Sequence, residues 1–271
     1  MSNIAIVTGA SSGLGREICR QIDAGEFGPI DEIWAIARRS ERLDALVRIS
    51  NIKVRPFALN LLDPVTFDII ENCLAETPHT HVKLLVNCAG IMRFGKFSAI
   101  DPQDTRQMLS LLCLAPIELT YRALPFMRPG SRILNVSSVA AFMPMPELSI
   151  YSACKRFILD WSQSLNAELA SVDIRTCALC PKYMHTELLD NVGSRRALED
   201  TTFIGFESVE TVVKKAADAL RAGKAICIPS PEMKAFYALA EVLPYPVALR
   251  VKDTLRDFAA EYPAAFEWLN H

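Results

Sequence analysis

The chain has 271 residues, 51% of them apolar and 22% charged, with a net charge of -2. That apolar content excludes disorder, and the balanced charge excludes a nucleic-acid scaffold, which needs a concentrated basic surface. Mean hydropathy is positive at +0.19, yet no run approaches the roughly 20 uninterrupted apolar residues of a membrane span. The excess is expected in a core, a pocket or an interface.

In chain order, short apolar runs alternate with longer stretches of helical period, the pattern of βαβ units around a parallel sheet. Strands are expected at Ile4–Val7, Glu32–Ala37, Lys53–Ala58, Val82–Asn87, Arg132–Ser137, Asp173–Leu179 and Ala225–Ile228. Their near-continuous hydrophobicity suits strands covered on both faces. Asp63-Pro64 and Asp101-Pro102 each place a capping carboxylate before a proline at a helix start, and Gly223 stands where a C-cap belongs. The fold class is therefore α/β, a doubly wound parallel sheet in a single domain. Residues 1–190 form its core; residues 191–271 add a substrate loop, a last strand and a helical tail. In that tail Met233, Phe236, Tyr237 and Ala240 share one helical face, and Val247, Val251, Leu255 and Phe258 another. The tail is read as core packing or a substrate lid over a pocket, with a dimer contact or membrane association as the alternatives.

Glycine is scarce at 11 residues, below the usual 7% or so, so its placement is informative. Gly9, Gly13 and Gly15 fall in Thr8-Gly9-Ala10-Ser11-Ser12-Gly13-Leu14-Gly15, between the first strand and a helix. Such a turn lets the backbone approach a pyrophosphate, and the helix N-terminus offers it free amides. Ser11, Ser12 and Leu14 are included in this dinucleotide site. At the end of the second strand, where an acidic residue would accept both ribose hydroxyls, the chain has Arg38 and Arg39. Arginine pairs with a 2′-phosphate instead. At about 1.5 to 3 kcal/mol per charged pair, NADP(H) should be preferred over NAD(H) by roughly ten- to a hundredfold.

Tyr151 and Lys155 lie four apart on one helix face, where an ammonium can favour the phenolate of a group that otherwise titrates near 10. Asn135-Val136-Ser137-Ser138 closes the fifth strand, and Ser138 precedes the tyrosine by 13 residues. With the glycine turn and Asn87-Cys88-Ala89-Gly90, these motifs occur in the order that resembles the short-chain dehydrogenase/reductase family, over essentially the first 190 residues.

The resemblance implies an oxidoreductase acting between NADP(H) and a ketone or secondary alcohol. In it Ser138 binds the carbonyl oxygen, Tyr151 transfers the proton, and Lys155 holds the nicotinamide ribose and lowers the tyrosine's pKa. It places Asn87, Ala89 and Gly90 beside the cofactor, Asn60 and Leu61 near the adenine, and Pro181 and Thr186 near the carboxamide. Met143, Met145, Leu148 and Tyr183 are expected as apolar substrate walls. They suggest a bulky, steroid-like or acyl substrate, and the tail resembles that of family members acting on such molecules.

Two departures stand out. The family's helical asparagine is replaced, Leu112 standing at its place, and its Pro-Gly is Pro181-Lys182. The first puts the proton relay in doubt and admits an alternative, an NADP(H)-binding sensor with little turnover. Neither Cys177-x-x-Cys180 nor the histidines form a ligand pattern, so no metal is expected. The irregular cysteine spacing and the absence of a leader point to a cytoplasmic protein. Its partner is a small-molecule carbonyl or alcohol, and the family implies a homodimer or homotetramer. Neither nucleic acid nor a transmembrane segment is expected.

Overall fold

The structure, a computed structural model, describes residues 2–190 and 205–247, and isolated positions 249, 250, 254, 257 and 261 beyond them. Seven parallel strands form one sheet in the order β3-β2-β1-β4-β5-β6-β7. They are β1 (Ser2–Thr8), β2 (Glu32–Ala37), β3 (Lys53–Ala58), β4 (Thr80–Asn87), β5 (Arg132–Val136), β6 (Arg175–Leu179) and β7 (Ile226–Cys227). All seven expected strands are present. The sixth begins two residues late because Asp173 takes a left-handed conformation, φ +53°, and its carbonyl accepts from the Gly130 amide.

The helices are α1 (Gly13–Asp23), α2 (Ser40–Ile49), α3 (Val65–Glu76), α4 (Pro102–Leu109), α5 (Ala115–Ala123), α6 (Ser149–Leu169), α7 (Glu187–Asp190), α8 (Val209–Arg221) and α9 (Pro231–Val242). Asp101 caps α4 by accepting from the Gln103 amide at 2.6 Å, and Asp63 accepts from the Val65 amide at the start of α3. Gly223 ends α8 with φ +65°, and the next amide, of Lys224, reaches back to Ala219. Only a residue tolerant of that conformation closes the helix so tightly.

Alternation along the strands divides the core. Ala5 and Val7 of β1 and Ile33, Ala35 and Ala37 of β2 face the layer of α1, α2 and α8. Ile4, Ile6, Trp34 and Ile36 face the layer of α3 and α5. Both faces are therefore covered, which explains the apolar excess of the strands. Pro102–Phe126 is long and apolar enough by composition to resemble a membrane span, but Met108, Leu112, Leu119 and Ala123 within it are buried in the protein core.

Met233, Phe236, Tyr237 and Ala240 do share a face of α9, packed on Phe142, Leu159 and Cys180, with the Phe142 and Tyr237 rings 4.8 Å apart. Val247 is half exposed, and Val251, Leu255 and Phe258 lie outside the described residues. The order of strands reverses between β1 and β4, whose chain directions carry successive connections away from each other. A crevice opens there, above the strand ends.

Candidate active site

The crevice holds about 480 Å³ and gathers residues from widely separated parts of the chain. Its floor is the glycine turn. Gly9 and Gly13 have φ of +71° and +49°, and a Cβ on Gly15 would lie 2.4 Å from the Gly9 carbonyl oxygen. Glycine is thus required here by close approach as well as by conformation. Ser12 begins α1 without a side-chain cap, so the first amides of the helix remain available to an anion. These features fit the pyrophosphate of a dinucleotide. Ser11 and Leu14 complete the turn, and all of its predicted residues line the crevice.

Thr8, to which the sequence reading gave no role, braces this floor. Its hydroxyl donates to the Val86 carbonyl and accepts from the Cys88 and Ala89 amides at 2.9 and 3.1 Å. That arrangement fixes the end of β1 to the end of β4, with Ala89 and Gly90 on the wall. Its place directly before the first glycine of the turn was the available signal.

At the adenosine end, Asn60 and Leu61 line the crevice with Arg38 and Arg39. Arg38 is exposed and has no hydrogen bond or ion pair to another described residue. Arg39 donates to the Ser11 and Ser12 hydroxyls at 3.2 and 3.0 Å and pairs with Glu187 at 2.8 Å. Glu187 also pairs with Arg42. Neither Glu187 nor Arg42 was picked out from sequence.

Asn87 does not border the crevice as expected. It is buried and donates to the Asn135 side chain at 2.8 Å, and Asn135 donates in turn to the Ser162 hydroxyl at 2.9 Å. Buried away from solvent, these polar groups bind one another and tie β4, β5 and α6 together.

At the opposite end, Ser138, Tyr151 and Lys155 all line the crevice. Ser138 caps the short turn Val139–Ala141, its Oγ accepting from the Ala140 amide at 3.1 Å. Neighbouring Ser137 faces inward, and its hydroxyl donates to the Lys155 carbonyl at 2.7 Å. Tyr151 and Lys155 lie on the same face of α6, with the ammonium 5.5 Å from the ring centroid. The ammonium itself donates to the Val136 carbonyl at 2.8 Å.

Burial pushes the Tyr151 phenol above its ordinary range, Tyr183 adds to the rise, and a hydrogen bond with the Ser138 hydroxyl offsets part of it. Lys155 is lowered, first by burial, against the opposing pull of Cys88, Cys154, Cys113 and Cys180 around it. Five residues from Ser110 to Leu114 form a π-helical turn between α4 and α5. Leu112 lies within it, buried, with its methyl 3.3 Å from where a Gly90 Cβ would be. The helix thus departs from regular geometry here without an asparagine.

Pro181, Tyr183 and Thr186 line the crevice beside α7, and a Cβ on Gly13 would touch Thr186 at 3.2 Å. Met143, Met145 and Leu148 stand behind this surface: Leu148 and Met145 pack with Tyr151 in a cluster that includes Met92, and Met143 is buried. The apolar lining comes instead from Ile91, Met92, Leu111, Leu188 and Leu189. Lys182 departs from the family glycine because its side chain is used. Only 3% exposed, it reaches Glu232 of α9 at 2.6 Å, while its amide donates to Glu207 at 2.8 Å. Among the described residues no group of histidine, cysteine or acidic side chains could hold a metal.

The model of the short chain dehydrogenase family matches residues 3–197. A sulfoacetaldehyde reductase of Chromohalobacter salexigens is 28% identical over 212 residues, 76% of this chain and 82% of that protein. An 11-beta-hydroxysteroid dehydrogenase-like protein of Arabidopsis thaliana is 26% identical over 266 residues, 94% and 80% of the two chains. A solved short-chain dehydrogenase from Sphingobium yanoikuyae, in complex with NADPH, superposes with a TM-score of 0.74 at 25% identity, covering 88% of this chain and 92% of that one. Fold, crevice and sequence match agree: the chain belongs to the short chain dehydrogenase family, as a nicotinamide-dependent oxidoreductase of carbonyl and alcohol substrates.

Proposed function

We propose that this protein is an NADP(H)-dependent reductase of a largely apolar carbonyl compound, with Ser138, Tyr151 and Lys155 as its catalytic residues. The observation that carries the proposal is a single crevice with the glycine turn and Arg38, unpartnered among the described residues, at one end and these three side chains at the other. The NADPH complex of the Sphingobium neighbour supports the cofactor choice.

A bound nicotinamide supplies the hydride in reduction and accepts it in oxidation. The chain's own part is to bind, orient and move a proton. Ser138 donates a hydrogen bond to the carbonyl oxygen and so polarises it. Tyr151 delivers its phenolic proton to the same oxygen in reduction and withdraws one from the alcohol in oxidation. Lys155, anchored by the Val136 carbonyl, places a positive charge beside the phenol, where it stabilises the phenolate left behind. Asn60, Leu61, Ala89 and Gly90 bound the dinucleotide; Pro181 and Thr186 close its nicotinamide end.

Tyr183 and the apolar lining of Met92, Leu111, Leu188 and Leu189 support a bulky hydrophobic substrate, as does the likeness to the hydroxysteroid dehydrogenase-like relative. Arg93 on the same wall, paired with Asp104 at 3.0 Å, favours a second reading, a small anionic aldehyde of the kind named for the Chromohalobacter relative. A kcat/KM series over steroid ketones, 3-oxoacyl thioesters and sulfoacetaldehyde separates the two. The first reading expects the apolar ketones to lead by at least about tenfold, as burial of a few extra methylenes provides. Sulfoacetaldehyde leading by that margin overturns it.

We also assign the chain to the cytoplasm as a homo-oligomer. Eight free cysteines support a reducing compartment. Exposed Leu109, Leu114, Tyr121 and Phe157 on the helices from α4 to α6 support a contact with a second copy.

A further inference from the structure

We propose that Glu187 is a specificity-determining residue whose carboxylate and the cofactor's 2′-phosphate compete for the same guanidinium, that of Arg39. The inference rests on the NADP(H) reading above and deepens it.

Glu187 begins α7, in the segment that leaves β6 and passes over the crevice. From there its carboxylate crosses to the far side and pairs with Arg39 at 2.8 Å and with Arg42. Arg39 is at the same time held over the glycine turn by the Ser11 and Ser12 hydroxyls. The carboxylate therefore sits where an anionic group on the adenosine ribose would be received. Both arginines hold it below the usual carboxylate range, Arg42 most strongly, so it is charged whenever the cofactor arrives.

Charge and exposure favour exchange over permanent pairing. Among the described residues, Arg38, Arg39 and Arg42 bring more positive charge to this end of the crevice than Glu187 and Glu41 offset, which suits a phosphate monoester of roughly -1.5 to -2. The Arg39 and Glu187 side chains are 42% and 37% exposed, so water can replace each partner as they separate. A phosphate, with three acceptor oxygens and nearly twice the charge, takes the guanidinium from a carboxylate. A cofactor with a free 2′-hydroxyl offers no such exchange and leaves the Glu187 pairs in place.

The test is calorimetric binding of 2′,5′-ADP and of ADP to the full chain, as wild type, as Glu187→Gln and as Glu41→Gln. Glu41 is exposed at the start of α2 and serves as a control for loss of one negative charge nearby. With Glu187→Gln, 2′,5′-ADP should bind about three- to fivefold more tightly, the worth of an exposed ion pair, with ADP unchanged. Glu41→Gln should change neither. Unaltered or weaker 2′,5′-ADP binding by Glu187→Gln overturns the proposal, as does equal tightening of both nucleotides or of both variants. Failure of the underlying cofactor reading looks different: wild type would then bind 2′,5′-ADP no more tightly than ADP.

Discussion

The Lys155 ammonium lies 5.5 Å from the centre of the Tyr151 ring but gives its hydrogen bond to the Val136 carbonyl, not to the phenol. Burial consequently dominates the phenol, which is raised. A raised acid stays protonated to higher pH, so the proton donor for reduction is fully present at neutrality, whereas oxidation needs the scarce phenolate. Reduction should therefore vary little from about pH 6 to about pH 8, while kcat/KM for alcohol oxidation climbs toward tenfold per pH unit. Initial rates in both directions across that range check this; an oxidation rate flat with pH would count against Tyr151 as the base.

The proposed preference for NADP(H) rests most simply on Arg38, which faces the adenosine end without a protein partner among the described residues. Arg38→Ala should lower the ratio of kcat/KM for NADPH to that for NADH by roughly ten- to a hundredfold. An unchanged ratio would refute the assignment.

Leu112, which the family resemblance sets at the place of an asparagine, is buried among Met108, Ala140, Leu148 and Tyr151. Restoring the amide by Leu112→Asn puts a polar group into that apolar cluster, at a cost of about 2 to 4 kcal/mol. Urea unfolding should show that loss, with no gain in kcat. A several-fold rise in kcat would mean that the missing amide limits the proton relay.

The buried Lys182 pairs with the partly exposed Glu232 and so ties α9 to the segment that follows β6. Glu232→Gln leaves the ammonium buried with Glu207 nearby, so the cost should fall short of the 3–5 kcal/mol for a wholly unpaired charge, at about 2 kcal/mol. Thermal unfolding should drop by roughly 4 to 8 °C. Adding Lys182→Met to Glu232→Leu should recover most of it; no recovery would show that the helix itself, not the charge, depends on Glu232.

The fold was legible because its signals are local. The strands β1, β2, β4, β5 and β6 announce themselves by apolar runs, the edge strand β3 less so, with only Val54 and Phe57 buried, and the caps at Asp101 and Gly223 by single residues. The gathering of Ser138, Tyr151 and Lys155 at one end of the crevice was legible for the same reason, since they keep a spacing that one helix and one turn translate directly into proximity. Contacts made between distant segments left no such trace. Glu187 and Arg42 are 145 residues apart and Lys182 and Glu232 are 50 apart; charges paired across the chain have no period to read. That Asn87, Met143, Met145 and Leu148 are not among the residues lining the crevice has a related reason. Motif position says which loop a side chain occupies, but packing decides whether it turns toward the crevice or into the core.

The most direct test of the whole account is NADPH oxidation driven by a panel of carbonyl compounds, measured for wild type and Tyr151→Phe beside NADPH binding to each. Wild type should turn over at least one carbonyl, and Tyr151→Phe should bind NADPH as before while losing about 10² to 10⁴ in kcat, the worth of a positioned acid. Two results would contradict it: wild type that binds NADPH but turns over no carbonyl in the panel, or activity that survives removal of the phenol.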